Sequence, residues 1–440
     1  MSHVFHRSAR SVPPLALSAE GSFILGADGR RYLDACGGAA VSCIGHGRDE
    51  VAEAIAAQAR GLAYAHTGFF TSAPAEELAD LLVAGAPAGI DKVYFVLSGS
   101  EAVETALKMA HQYHRERGEP ARRHVISRWQ SYHGNTLGAL AAGGNRGRRT
   151  AYQDLLVEMH HIPPCYPYRG MAQGESAEEY GRRAADDLER AILDIGPETV
   201  SAFIAETVVG ATLGAVAPAP GYFSRIREIC DRYGVLLILD EVMCGMGRTG
   251  HLHACLAEGV APDVMTLAKG LGAGYLPLGA VLVSGRVHQA FADGSGGFLH
   301  GQTFCGHPVA CAGALATQTI VRREGLVECV RAEEPFLEGL LRDAFAQHPH
   351  VGDIRGRGYF WALELVEDRD SKAPFPAGAR LAARVKAEAQ QLGLLCYPGS
   401  GTVDGQVGDH VLLAPPYTAT RGELEQMVSL LGETFDTVFD

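Results

Sequence analysis

Positive charge is scarce in this chain. Its 440 residues carry 38 Lys and Arg against 51 Asp and Glu, a net charge of −13, which disfavours a general attraction to nucleic acid or to an anionic membrane. The ten cysteines form no C-x-x-C pair and no Cys/His zinc spacing, so neither a metal site nor a disulfide framework is expected. They read as buried small hydrophobes of a reduced protein. The longest apolar stretch, Val208 to Phe223, is interrupted by glycines and prolines, which suits a packed turn region better than a membrane span. Met1 to Arg10 lack the apolar core of a secretory signal, and a cytoplasmic location is expected. An apolar share of 47% and a charged share of 20% exclude global disorder. What is abundant is glycine, 54 residues, without a Gly-X-Y period or a Gly/Ser tract. These glycines must serve separate turns and close backbone approaches.

Short apolar runs alternate with helical patterns through the middle of the chain. Residues 92–97, 124–127, 200–205, 235–239, 264–268 and 278–284 read as buried strands. Residues 101–117, 178–195 and 222–233 read as amphipathic helices. Such alternation predicts an α/β fold with a mostly parallel sheet covered on both faces. From about Pro308 the pattern changes to long helices at 307–324, 328–348 and 376–392 around a few strands, including 360–366. A smaller C-terminal α+β unit follows from this change.

Ligands of open α/β sheets bind beyond the carboxyl ends of the strands. After the first strand, Ser98-Gly99-Ser100 lead into a helix, a candidate phosphate cup; the same residues also read as an ordinary capping box with Glu101. After the fourth, Asp240 follows five apolar residues. It either caps the next turn or meets a cation or hydrogen-bond donors. After the fifth, Lys269 stands between an apolar strand and a glycine-rich turn, where desolvation suits a lysine to Schiff-base chemistry. Cup, acid and lysine on one sheet match the needs of pyridoxal phosphate. The rival from another class is a dinucleotide-binding dehydrogenase, because Gly245 to Gly250 satisfy G-x-G-x-x-G. That reading is disfavoured: two carboxylates intervene after the strand and no helix clearly follows.

With these motifs assembled, the chain resembles the class III, fold-type I pyridoxal phosphate aminotransferases, among them the ω-amino acid:pyruvate enzymes, from about residue 20 to residue 430. The resemblance rests on Ser98 to Lys108, Ser131 to Thr136, Asp240 to Gly250, the Lys269 segment and Gly301 to Pro308. It implies an N-terminal segment (1–60) joined to the small domain, a large cofactor domain (61–307) and a C-terminal small domain (308–440). It further implies that Lys269 holds the cofactor as a Schiff base and moves the substrate proton, and that Asp240 pairs with the pyridine nitrogen. Tyr132, followed by His133 and Gly134, resembles the aromatic stacked on one ring face, and Val242 the apolar contact on the other. Ser98, Gly99 and Ser100 would hold the phosphate. Thr303 is similar to the threonine that reaches it from the neighbouring subunit, which makes a homodimer part of the site.

Departures from the family pattern concern the substrate. Leu412 and Gly405 stand where relatives carry carboxylate-binding arginines. Glu206 resembles the glutamate that shields one of these arginines, and it is a candidate for contacts near the cofactor, to a substrate amine or to another cation. Arg421 reads as a helix-start residue. The expectation is an aminotransferase that takes an amine or ω-amino donor and a small 2-oxo acid acceptor, pyruvate ahead of 2-oxoglutarate. An aminomutase, a decarboxylating transaminase or a lyase on the same fold would keep the same cofactor residues. Phe69, Phe70, Trp129 and Tyr132 are candidate aromatic walls of the pocket.

Overall fold

A computed structural model describes residues 2–440. Three N-terminal strands, Ala16–Glu20 (β1), Phe23–Gly26 (β2) and Arg31–Asp34 (β3), form an antiparallel meander. The central sheet follows: Ile90–Val96 (β4), His124–Arg128 (β5), His160–Ile162 (β6), Val200–Glu206 (β7), Leu236–Asp240 (β8), Val264–Leu267 (β9) and Gly279–Ser284 (β10). Its order is β4-β10-β9-β8-β7-β5-β6. Only β10 runs antiparallel to its neighbours. The connection from β9 to β10 is too short for a crossover helix, so the chain turns back on itself there. The sheet is thus mostly parallel, with β6 and this reversal added to what the sequence predicts.

Strands β7, β8 and β9 are buried along their whole length, which explains their largely apolar sequences. Alternate residues serve the two faces. Ile204, Ile238 and Val264 pack with Val103, Ala106 and Ala110 of the Gly99–Glu116 helix, and Phe203, Leu237 and Leu239 pack with Leu188, Ile192 and Ile226 of the helices on the other side. Those two helices have clear boundaries. Ala177–Ile195 opens with a Ser176/Glu179 capping box, and Tyr222–Tyr233 stops at Gly234, whose φ of 65° suits a residue without a Cβ.

The C-terminal strands are Val351–Arg357 (β11), Phe360–Leu365 (β12), Leu394–Leu395 (β13), Tyr397–Ser400 (β14) and Asp409–Leu413 (β15), with antiparallel order β11-β12-β15-β14. Strand β13 instead pairs in parallel with β3, so the N-terminal meander shares a sheet and a hydrophobic core with this unit. Three helices cover it, Leu326–Phe345, Leu381–Gln391 and Arg421–Phe439, and Pro308–Arg323 runs from the core of the central sheet into this one. The Leu381–Gln391 helix begins later than the predicted 376, because residues 377–379 form a 3-10 turn and Arg380 adopts a left-handed φ of 48°. Arg421, first residue of the last helix, pairs through its Nε with Glu333 Oε2 at 2.7 Å and lies over Phe336. The Gly245–Gly250 turn is a tether between units: buried Arg248 donates to the carbonyls of Pro415 (2.5 Å) and Tyr359 (3.1 Å) and lies over Tyr417. No helix of the described residues is long and apolar enough to cross a membrane.

Candidate active site

The site is assembled by three adjacent strand ends. Glu206 closes β7, Asp240 closes β8 in register with it, and Asp240 is paired in turn with Thr266 of β9. Lys269, one of five lysines in the chain, follows β9. It is half-buried in a short 3-10 turn with φ of 46°, a conformation that a non-glycine residue adopts only when its surroundings impose it. Burial lowers its pKa to about 8, opposed by the attraction of Asp240 and Glu206.

Asp240 is 3% exposed and surrounded by donors. Its Oδ2 lies 2.8 Å from His133 Nδ1, and its Oδ1 accepts from the Val242 amide (3.0 Å) and from Thr266 Oγ1 (3.1 Å). His133 Nε2 is buried and has no partner among the described residues. Glu206 accepts from the amides of Tyr132 (3.0 Å) and Gly210 (2.9 Å). Burial, reinforced by Asp240, lifts its carboxyl above the ordinary range against the pull of His133 and these two amides. The next carboxylate, Glu241, takes no part: it is bound by Thr207 Oγ1 (2.7 Å) and the amides of Ala254 (2.6 Å) and Cys255 (2.8 Å).

The Ser98 turn is both cap and cup. Ser98 Oγ accepts from the Glu101 amide (3.3 Å), and the Glu101 carboxylate accepts from the Leu97 amide (2.8 Å). The amides of Gly99 and Ser100 then head the 18-residue helix, where N–H groups have no acceptor within the helix. Gly99 is required by packing, since a Cβ there would lie 2.8 Å from Val242 Cγ1. Gly134, at φ of 134°, lets the following turn settle on Ser100, whose Oγ accepts from the Asn135 amide (3.0 Å).

These groups face one cavity of about 150 Å³. Its walls are Ser98, Gly99, Ser100, Tyr132, His133, Gly134, Glu206, Asp240, Val242 and Lys269, together with Met243 and Ala268. Thr303 is exposed and lies outside it, its carbonyl accepting from Tyr64 Oη (2.8 Å). Of the four candidate wall aromatics only Tyr132 lines the cavity. Phe69 and Phe70 are 81% and 69% exposed, and Trp129 stacks on His161. Sequence reasoning missed Met243 and Thr266. Met243 follows the Asp240-Glu241-Val242 motif directly, whereas only strand register brings Thr266 to Asp240. The residues fit pyridoxal phosphate: a desolvated amine that is readily neutral, a buried carboxylate, an unpartnered imidazole nitrogen and free helix amides converge on one cavity.

This fold and site define a fold-type I pyridoxal phosphate enzyme. The chain belongs to the class III aminotransferases, whose family pattern matches residues 4–435. Over 433 residues it is 46% identical to an uncharacterised aminotransferase of Schizosaccharomyces pombe, covering 98% of this chain and 94% of that protein. It is 37% identical to the putrescine–pyruvate aminotransferase of Pseudomonas aeruginosa, covering 95% and 89% of the two chains. Identity is also 37% to the diaminobutyrate–2-oxoglutarate transaminase of Halomonas elongata, covering 96% and 90%. The crystal structure of the Pseudomonas jessenii ω-transaminase in complex with PMP superposes with a TM-score of 0.93 at 34% identity, covering all of this chain and 96% of that one. The enzyme is therefore a pyridoxal phosphate-dependent aminotransferase, not a dehydrogenase.

Proposed function

We propose that the enzyme moves an amino group from an amine or ω-amino compound to a small 2-oxo acid, with pyruvate preferred to 2-oxoglutarate. The observation that carries this reading is the cavity wall: it holds two carboxylates, Lys269 and the imidazole of His133, and no arginine is among them. Leu412, at one family position for a carboxylate anchor, is buried in β15 against Val208 and Phe360. A donor without a carboxylate suits such a wall. The Pseudomonas aeruginosa relative is named for putrescine, a donor without a carboxylate, and for pyruvate, which supports the reading; the Halomonas elongata relative is named for 2-oxoglutarate.

When bound, the cofactor supplies an electron sink for the bonds at the substrate carbon. Lys269 would hold it through its amine and would carry a proton to and from that carbon. Asp240, kept in place by His133, Val242 and Thr266, sets its negative charge beside the ring nitrogen. Tyr132 and Val242 would enclose the ring, and the Gly99 and Ser100 amides with the Ser98 and Ser100 hydroxyls would receive the phosphate. Glu206 fixes the backbone of Tyr132 and Gly210 beside the ring. Thr303 of the partner subunit completes the phosphate site in a homodimer; exposed Leu62, Phe69, Phe70, Leu299 and Phe304 flank that region and support a covering subunit. Ten unpaired cysteines support a reducing, cytoplasmic setting.

A donor panel of diamines, ω-amino acids and α-amino acids, followed by an acceptor panel on the aminated enzyme, tests this. Amine donors should aminate the cofactor with one equivalent of carbonyl product; isomerised, decarboxylated or eliminated product would instead show an aminomutase, a decarboxylating enzyme or a lyase. Faster reaction of 2-oxoglutarate than of pyruvate would refute the acceptor claim. The pKa of Lys269 adds a pH prediction. Only the neutral amine can capture the cofactor covalently, so capture by the apoenzyme, followed by absorbance, should rise with pH and level off above about 8. A rise continuing to the ordinary lysine range would contradict the assignment.

A further inference from the structure

A 2-oxo acid brings a carboxylate into a cavity whose wall already holds Glu206 and Asp240. Lys269 is committed to the cofactor in the reading above, on which this inference rests. The acceptor therefore needs a cation from just outside the wall.

The short Arg146–Thr150 helix carries three arginines, one of them over the wall residue Tyr132, and their surroundings differ. Arg149 is buried and consumed, its Nη1 donating to the carbonyls of Leu140 (3.1 Å), Ala141 (2.5 Å) and Gly143 (2.8 Å). Arg146 lies over Trp129 at 4.7 Å, packs along Gly405 and helps to hold the Asp404 carboxyl below its ordinary range. Arg148 is exposed, and its guanidinium carbon lies 4.7 Å from the centroid of the Tyr132 ring. Its side chain has no hydrogen bond or ion pair among the described residues; only its amide is used, donating to Asn145 Oδ1 (3.1 Å).

The segment is fixed relative to the site. The Gly144 amide donates to Ser131 Oγ (3.0 Å) beside Tyr132, and Arg149 clamps the preceding carbonyls. A cation lacking an anionic partner is thus held over an aromatic that walls the cavity. Its planar fork matches a carboxylate, and stacking on Tyr132 limits its freedom before the ligand arrives.

We propose that Arg148 binds the carboxylate of the 2-oxo acid acceptor and so selects acids over simple aldehydes. The experiment compares pyruvate with propanal, which lacks the carboxylate, as acceptors for the aminated holoenzyme. In Arg148→Ala, kcat/KM for pyruvate should fall roughly 10- to 100-fold, the loss of a charge-assisted pair, while propanal is unaffected. Arg148→Lys should recover part of the loss, and Arg146→Ala should change neither acceptor. Equal losses for both acceptors, no loss for pyruvate, or a selective loss in Arg146→Ala would overturn the proposal. Failure of the wild-type enzyme to aminate any 2-oxo acid would instead overturn the reading on which it rests.

Discussion

Lys269→Ala is expected to abolish amino-group transfer and leave the fold intact. The side chain removed is the one amine in the cavity wall, and burial has brought its pKa to about 8. Loss of a positioned proton carrier alone costs on the order of 10² to 10⁴ in rate, and loss of covalent attachment adds to this. Lys269→Arg separates charge from proton transfer. Arginine keeps the positive charge between Asp240 and Glu206 but does not deprotonate in proteins, so it should be equally inactive. Product formation from an amine donor and pyruvate is the primary measurement. Borohydride treatment followed by peptide mass spectrometry is the second: the wild-type peptide containing residue 269 should carry the cofactor, and neither variant should. Turnover by Lys269→Ala within about tenfold of wild type, far less than a lost acid–base group costs, would show that another group does this work.

How much of the site could be read from the chain follows from local chemistry. A carboxylate or a lysine directly after a buried strand is costly unless it has a task, so Asp240 and Lys269 stand out without any structure. Gly99 and Gly134 are legible as close approaches, although what they approach is Val242 in one case and Ser100 in the other. Partners distant in sequence were not legible. His133 meets Asp240 across 107 positions, and Thr266 meets it through the β8–β9 register. The meander β1–β3 escaped because β1 is largely exposed and gives no buried run. Phe69 and Phe70 lie outside the cavity of the single subunit, because aromaticity says nothing of which cavity a side chain faces. The G-x-G-x-x-G segment shows the opposite hazard: its glycines permit a turn that seats Arg248 and receives Tyr417 Oη on the Met246 carbonyl (3.0 Å), a packing task that looks like nucleotide binding when read as a string.

Asp240→Asn is the second large effect, and it tests charge with shape held constant. The amide oxygen can still accept from Val242 N and Thr266 Oγ1, so the side chain should stay in place. The negative charge beside the ring nitrogen is lost, and with it the reason for that nitrogen to stay protonated. Transfer should slow by about 10³, the cost of removing one preorganised electrostatic contact, while cofactor remains attached at residue 269. Glu206→Gln is the control. It alters an equally buried carboxylate on the adjacent strand, but one whose oxygens serve the amides of Tyr132 and Gly210, and a loss below about tenfold is expected because only backbone support is disturbed. An independent readout comes from Lys269, whose amine is held up by the attraction of Asp240 against the effect of burial. Without that attraction its pKa must fall, so the pH at which the apoenzyme captures cofactor should move below about 8 in Asp240→Asn. If Glu206→Gln slowed transfer as much as Asp240→Asn, the charge beside the ring would have to be assigned to the wrong strand end, and the proposed roles of the two carboxylates would fall together.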